Sequence, residues 1–189
     1  KVIASPAAGT RVIAAGGVLT IEAAANTSAL IERVLPDQVE VVECRLEGDG
    51  DAGQTWGPGL TLVWPGGAAL RLNLRGPEGR FAVDALPGGQ RISQTPLPGG
   101  VTTLRIRLEG DRVILETRGE DAITWSEAGT LPRAAFAGAP QRIRVGKMHG
   151  VEGTGDHTAA GSPAGVEVCS VRAWCPLAAP TNRKPERSE

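Results

Sequence analysis

The chain has no tyrosine, two phenylalanines, one methionine and four tryptophans in 189 residues. Any core must therefore be aliphatic, built from Val, Leu, Ile and Ala, and each Trp is informative because it is scarce. The three cysteines, Cys44, Cys169 and Cys175, form no C-x-x-C pair, which speaks against a zinc knuckle. Cys169 and Cys175 are close enough in sequence to close a small loop. Cys44 pairs with either of them instead if their strands are neighbours, and the odd count leaves one thiol free or bonded to another chain. No run of 18 apolar residues exists, so no transmembrane helix is expected. Charge of one sign is lacking too: 20 Lys and Arg stand against 21 Asp and Glu, a formal net charge of -1. Composition alone thus gives no reason to expect a nucleic-acid partner. There is no P-loop, dinucleotide fingerprint, G-x-S-x-G elbow or HExxH, which removes the common nucleotide, serine-hydrolase and zinc-protease signatures. No signal peptide is visible, and the chain begins at Lys1 without Met, as after processing.

What is present is short alternation with turn residues between. The 26 Gly and 14 Pro sit mainly between apolar blocks, as turn residues do in a fold of many short strands. Residues 18–23, 28–34 and 39–47 alternate apolar and polar residues. Leu60 to Trp64, Ala69 to Arg75 and Arg80 to Asp84 read as a three-stranded meander, turned by Pro65-Gly66-Gly67 and by Gly76-Pro77-Glu78-Gly79. Thr103 to Glu109 and Arg112 to Thr117 form a hairpin around Gly110-Asp111, and residues 123–125, 141–147 and 166–174 give three more strands. Residues 87–100 and 149–165 read as loops, and Leu131-Pro132 as part of a connection. At least nine strands without βαβ spacing or an amphipathic helix imply an all-β fold, a two-sheet antiparallel β-sandwich of jelly-roll type. Residues 1–175 are expected to form one domain and 176–189 a flexible tail or linker.

The stretch Trp56-Gly57-Pro58-Gly59-Leu60-Thr61-Leu62-Val63-Trp64, followed by Leu70-Arg71-Leu72 and Gly79-Arg80-Phe81, resembles the concanavalin A-like lectin/glucanase superfamily, in particular laminin-G-like bacterial modules. Leu104-Arg105-Ile106, Leu115-Glu116, Ile123-Thr124-Trp125 and Val145-Gly146-Lys147-Met148 continue the same order, so the resemblance covers roughly residues 18–175. It implies glycan binding, an accessory role beside hydrolases or protein contacts, with calcium at an edge loop in some members.

Four groups of residues are candidates for a site. Glu47, Asp49 and Asp51 alternate like the paired acids of retaining glucanases, but glycines separate them where positioned catalysis needs a rigid strand. They are read as an acidic turn or a calcium loop of hard oxygen ligands. His149, Glu152, Asp156 and His157 share one Gly-rich stretch and could contact a ligand or metal. Trp125 and Trp56 are candidate platforms for a sugar ring. Arg71, Asn73 and Arg75, together with Arg105, Arg107, Arg142 and Arg144, would share one surface if their strands lie in one sheet, and such donors suit a carboxylate or sulfate. The expectation from sequence is a non-catalytic carbohydrate-binding or accessory module of a larger bacterial protein, extracellular, periplasmic or on the cell surface, with calcium as the possible cofactor. Its partners would be a polysaccharide or glycan and neighbouring domains, with no nucleic acid and no membrane span. The alternatives are a structural or protein-interaction domain without a sugar site and, third, a glycoside hydrolase.

Overall fold

The computed structural model describes residues 1–4, 9–25, 27–47, 58–75, 80–86, 90–96, 102–147 and 164–175. The strands run β1 (Val2–Ala4), β2 (Arg11–Ala15), β3 (Val18–Ala23), β4 (Ala29–Val34), β5 (Val41–Glu47), β6 (Pro58–Val63) and β7 (Ala69–Arg75). They continue as β8 (Arg80–Leu86), β9 (Gln90–Pro96), β10 (Thr102–Glu109), β11 (Arg112–Gly119), β12 (Ser126–Pro132), β13 (Arg142–Lys147) and β14 (Ala164–Trp174). They form two seven-stranded sheets, β1-β4-β13-β6-β7-β8-β9 and β12-β11-β10-β5-β14-β3-β2, and every pairing is antiparallel. This is the jelly-roll type of sandwich expected from the alternation. Residues 176–189, read as a tail, lie outside the described residues.

Period-two alternation explains the single seam. Leu60, Leu62, Leu70, Leu72, Ile143 and Val145 of the first sheet face Val42, Cys44, Leu46, Leu104, Ile106 and Leu115 of the second in one aliphatic cluster. Trp64 is the largest side chain in it, 1% exposed and stacked on Phe136 with ring centroids 4.2 Å apart. Offset stacking adds to the area that both rings bury. Trp64→Ala should therefore destabilise the chain by about 3–5 kcal/mol and lower its melting temperature by roughly 10 °C. Thermal unfolding followed by circular dichroism measures this, and a shift of only about a degree would show that the ring is not part of the core.

Four strands were not legible as such, among them the short edge strands Val2–Ala4 and Arg11–Ala15. Gln90–Pro96, expected as loop, is β9, and Ser126–Pro132 is β12, whereas residues 123–125 precede that strand instead of forming one. Both are edge strands with one hydrogen-bonded neighbour, β8 and β11. An edge strand has less need of an apolar face, so its alternation fades. A register shift interrupts each pairing as well, between Val83 and Asp84 and between Leu115 and Glu116, and a bulge breaks the period of two.

Candidate functional site

The outer face of the first sheet holds polar side chains that are nearly inaccessible. Residues that alternate with the core leucines point away from the seam, and register sets them in rows. Glu32, Arg144, Thr61 and Arg71 stand side by side on β4, β13, β6 and β7, and Asp84 follows in register on β8. The next row runs Leu30, Gly146, Gly59 and Asn73. Thr61 is 2%, Arg71 3% and Asn73 0% exposed. The Thr61 hydroxyl is buried without a hydrogen-bond partner. Burying a polar group costs free energy unless it is paired, so the Thr61 hydroxyl is suited to a hydrogen-bonding partner.

Glu32 anchors one end of the row. Its Oε2 accepts a hydrogen bond from Arg144 Nε at 2.7 Å and lies 3.6 Å from Arg142 Nη1. The N-terminal ammonium of Lys1 donates to the Glu32 carbonyl at 2.8 Å. Burial pushes the Glu32 carboxyl up, but the Arg144 hydrogen bond and the charges of Arg144, Arg142 and Lys1 outweigh it and hold the group below its ordinary range. Glu32 is therefore an anion at neutral pH and an acceptor, not a proton donor.

The outer face of the second sheet is a different surface. Glu116 Oε2 accepts from Arg105 Nε at 2.6 Å and from Arg107 Nε at 2.9 Å, and Arg107 also bonds Glu109. Burial raises the Glu116 carboxyl, and the two guanidinium hydrogen bonds more than reverse that. Trp125 is half-buried, with the guanidinium carbon of Arg105 3.7 Å and that of Arg118 4.5 Å from its ring centroid. Cation–π contact thus occupies the ring, and a sugar would have to displace an arginine to stack there.

The arginines anticipated as one cluster are divided between these faces. Arg71, Asn73, Arg142 and Arg144 belong to the first sheet, Arg105 and Arg107 to the second, so the shared surface does not form across all of them. Arg75 ends β7 on the first sheet. Glu47 ends β5, exposed, while Asp49, Asp51, Trp56, His149, Asp156 and His157 lie outside the described residues. Among the described residues no group of three or more His, Cys, Asp or Glu is arranged to hold a metal. Each cysteine is a free thiol. Cys44 is buried in the core, where desolvation raises its pKa, and Cys169 lies on the adjoining strand β14 where its register with β5 shifts. Sequence reasoning missed Glu32 as a site residue, although its place on one face with Leu30 and Val34, alternating with Ile31 and Arg33, was readable. An isolated carboxylate on a strand gives no hint of the guanidinium that pairs with it 112 residues later.

No family model matches the chain, and no curated protein does. Solved structures do match in fold. A GH43 protein from Bacillus licheniformis superposes with a TM-score of 0.62 at 13% identity, over 84% of this chain and 33% of that one. This chain therefore spans about a third of that protein's length. A functionally unknown protein from Saccharomyces cerevisiae matches with a TM-score of 0.62 at 14% identity, covering 94% of this chain and 97% of its own. The catalytic domain of an endo-1,3-beta-glucanase (laminarinase) from Thermotoga petrophila matches with a TM-score of 0.58 at 16% identity, over 86% of this chain and 79% of that one. The fold is thus a two-sheet antiparallel β-sandwich that resembles the concanavalin A-like, jelly-roll sandwiches of these proteins. These matches overturn the expectation of a non-catalytic, lectin-like binding module: the fold is one on which catalytic glucanase domains are built.

Proposed function

We propose that this chain acts on carbohydrate as the β-sandwich of a glycoside-hydrolysing protein, and that a saccharide lies on the outer face of the first sheet. The supporting observation is the recessed row Glu32, Arg144, Thr61 and Arg71, with Asn73 beside it, on a fold shared with glucanase catalytic domains. In this reading Glu32 accepts from sugar hydroxyls, and Arg71, Asn73 and Thr61 supply donors and an acceptor. Hydrolysis needs two carboxyl groups about 5–5.5 Å apart for retention or about 6.5–9.5 Å for inversion. Glu32 and Asp84 stand four strand spacings apart, roughly 19 Å, so they do not form such a pair. An acid–base partner would come from segments outside the described residues, which contain Asp49, Asp51, Glu152 and Asp156. Calcium at Glu47, Asp49 and Asp51 belongs to the same proposal, as does a location outside the cytoplasm, where polymeric substrate is met.

The test is release of reducing ends from β-1,3-glucan and xylan, with binding followed by calorimetry, for the wild-type chain and Arg71→Gln. Added calcium and chelator form two further arms. The expected result is activity or binding on at least one polymer, lowered about tenfold or more in the variant while its circular dichroism is unchanged. Neither turnover nor binding on any polymer would overturn the proposal.

A further inference from the structure

At one end the seam between the two sheets is not filled. Ile31 and Arg33 of β4 stand opposite Val145 and Ile143 of β13, and Val171 and Ala173 of β14 stand opposite Cys44 and Val42 of β5. Residues directly opposite each other share a face of the sheet, and these four partners belong to the core. All four positions on β4 and β14 therefore face inward. Val145 and Val42 are sealed, yet Ile31 is only half-buried, and Arg33, Val171 and Ala173 are exposed. Between these strands lies a cavity of about 450 Å³, with Leu19 of β3, Val145 of β13 and Val168 of β14 in its walls. Its charged lining residues are Arg33 and Arg172, and no carboxylate lines it. Neither arginine makes a hydrogen bond or ion pair among the described residues. Val34 also lines the cavity and is 82% exposed.

We propose that this cavity binds a medium-chain aliphatic carboxylate, with the hydrocarbon chain in the seam and the carboxylate on Arg33. A concave, mostly apolar pocket of this size with a few polar groups is the ordinary form of a small-ligand site. The apolar lining consists of Val, Leu, Ile, Ala and Pro, with no aromatic ring for a planar ligand to stack on, so a flexible chain is the better fit. Inward apolar side chains that now meet water would be covered by that chain, which is favourable in proportion to the area removed from solvent. The sign of the headgroup follows from charge complementarity: two guanidinium groups line the cavity with no acid to answer them. A guanidinium takes a carboxylate bidentately, which orients the ligand as well as attracting it. The cavity lies between the sheets, so this site is separate from the outer face proposed for saccharide, and neither reading depends on the other.

Calorimetry of the full chain at neutral pH against octanoate and 1-octanol tests this, with hexanoate and decanoate as a chain-length series. Octanoate should bind about fivefold more tightly than 1-octanol, and Arg33→Gln should remove that advantage while leaving 1-octanol unchanged. Affinity should rise about fourfold for each methylene added from hexanoate to decanoate, as expected when the chain is buried. Arg33 is exposed, so its replacement should leave circular dichroism unchanged. Ile123→Ser removes an exposed apolar side chain outside the cavity lining and should not alter binding. Equal affinity for octanoate and 1-octanol, equal loss of both in Arg33→Gln, a flat chain-length series, or a loss in Ile123→Ser overturns the proposal. Adsorption to anionic phosphatidylglycerol vesicles without binding of free octanoate overturns it in favour of a membrane surface. A dimer in analytical ultracentrifugation without octanoate binding overturns it in favour of a second copy covering the opening.

Discussion

Gly59→Val should abolish folding, and Gly59→Ala should cost about 3 kcal/mol or more. Gly59 pairs with Gly146 across the two central strands of the first sheet, with Leu30 and Asn73 on either side. A Cβ on Gly59 would lie 2.5 Å from the Asn73 Cα and 2.7 Å from its Cβ, and would collide with the Leu72 carbonyl. The obstructing atoms are mostly backbone of the neighbouring strand, so a rotamer change cannot relieve them. Relief requires β6 and β7 to separate, which breaks ladder hydrogen bonds in the middle of a sheet. Gly146, at φ +128°, combines the same obstruction by Ala29 and Leu30 backbone with a conformation that L-residues avoid. Gly66 provides the contrast: it has φ +79° but open space around its Cα, so Gly66→Ala should cost only about 1 kcal/mol. Urea unfolding of the three alanine variants separates the cases. Equal losses at Gly59 and Gly66 would mean that the strands do not approach as closely as described.

The same pair of positions shows what a sequence can and cannot reveal. The aliphatic alternation of β5, β6, β7, β10 and β13 is local information, and it suffices for two sheets hiding one seam. Gly59 and Gly146 look like two more turn glycines in a chain that has 26 of them. Only pairing across 87 residues of sequence shows that they occupy one register position in the sheet. The site follows the same logic. Arg71 and Asn73 were recognisable because Leu70 and Leu72 flank them, so one face had to be polar. Nothing local indicated that this face would be nearly sealed from solvent, or that Arg105, with the same flanking pattern, would lie on the other sheet. Sheet membership is a long-range property: β13 enters between β4 and β6, and β5 between β10 and β14. Periodicity fixes which side of a strand a residue takes, not which sheet the strand joins. The surroundings of Trp125, a candidate platform for a sugar ring, were not legible for a related reason. The arginines covering it come from β10 and β11, and a stack of ring on guanidinium has no signature in the neighbourhood of the ring itself.

Glu32→Gln should cost about 2–4 kcal/mol at pH 7 and far less near pH 3. The side chain is one-tenth exposed, and Arg144 and Arg142 converge on its Oε2. Glutamine keeps the shape but replaces an anion by a neutral amide, which removes the charge that the Arg144 and Arg142 guanidinium groups face. The pH dependence follows from the direction of the shift. Because the folded-state pKa of Glu32 lies below its ordinary value, near 4.5, the folded protein binds the proton less readily than the unfolded chain does. The carboxylate therefore adds stability above the ordinary pKa and loses it as pH falls through the depressed one. Glu116, held down by Arg105 and Arg107, works in the same direction, so the wild-type chain should lose stability from about pH 5 downward. Glu32→Gln should flatten part of that slope and Glu116→Gln another part, nearly additively, because the two carboxylates sit on opposite outer faces of the sandwich. Urea denaturation between about pH 3 and pH 7 measures both slopes. An unchanged gap between wild type and Glu32→Gln across that range would show that the Glu32–Arg144 contact carries no net charge interaction, and would remove the anionic acceptor from the proposed saccharide site.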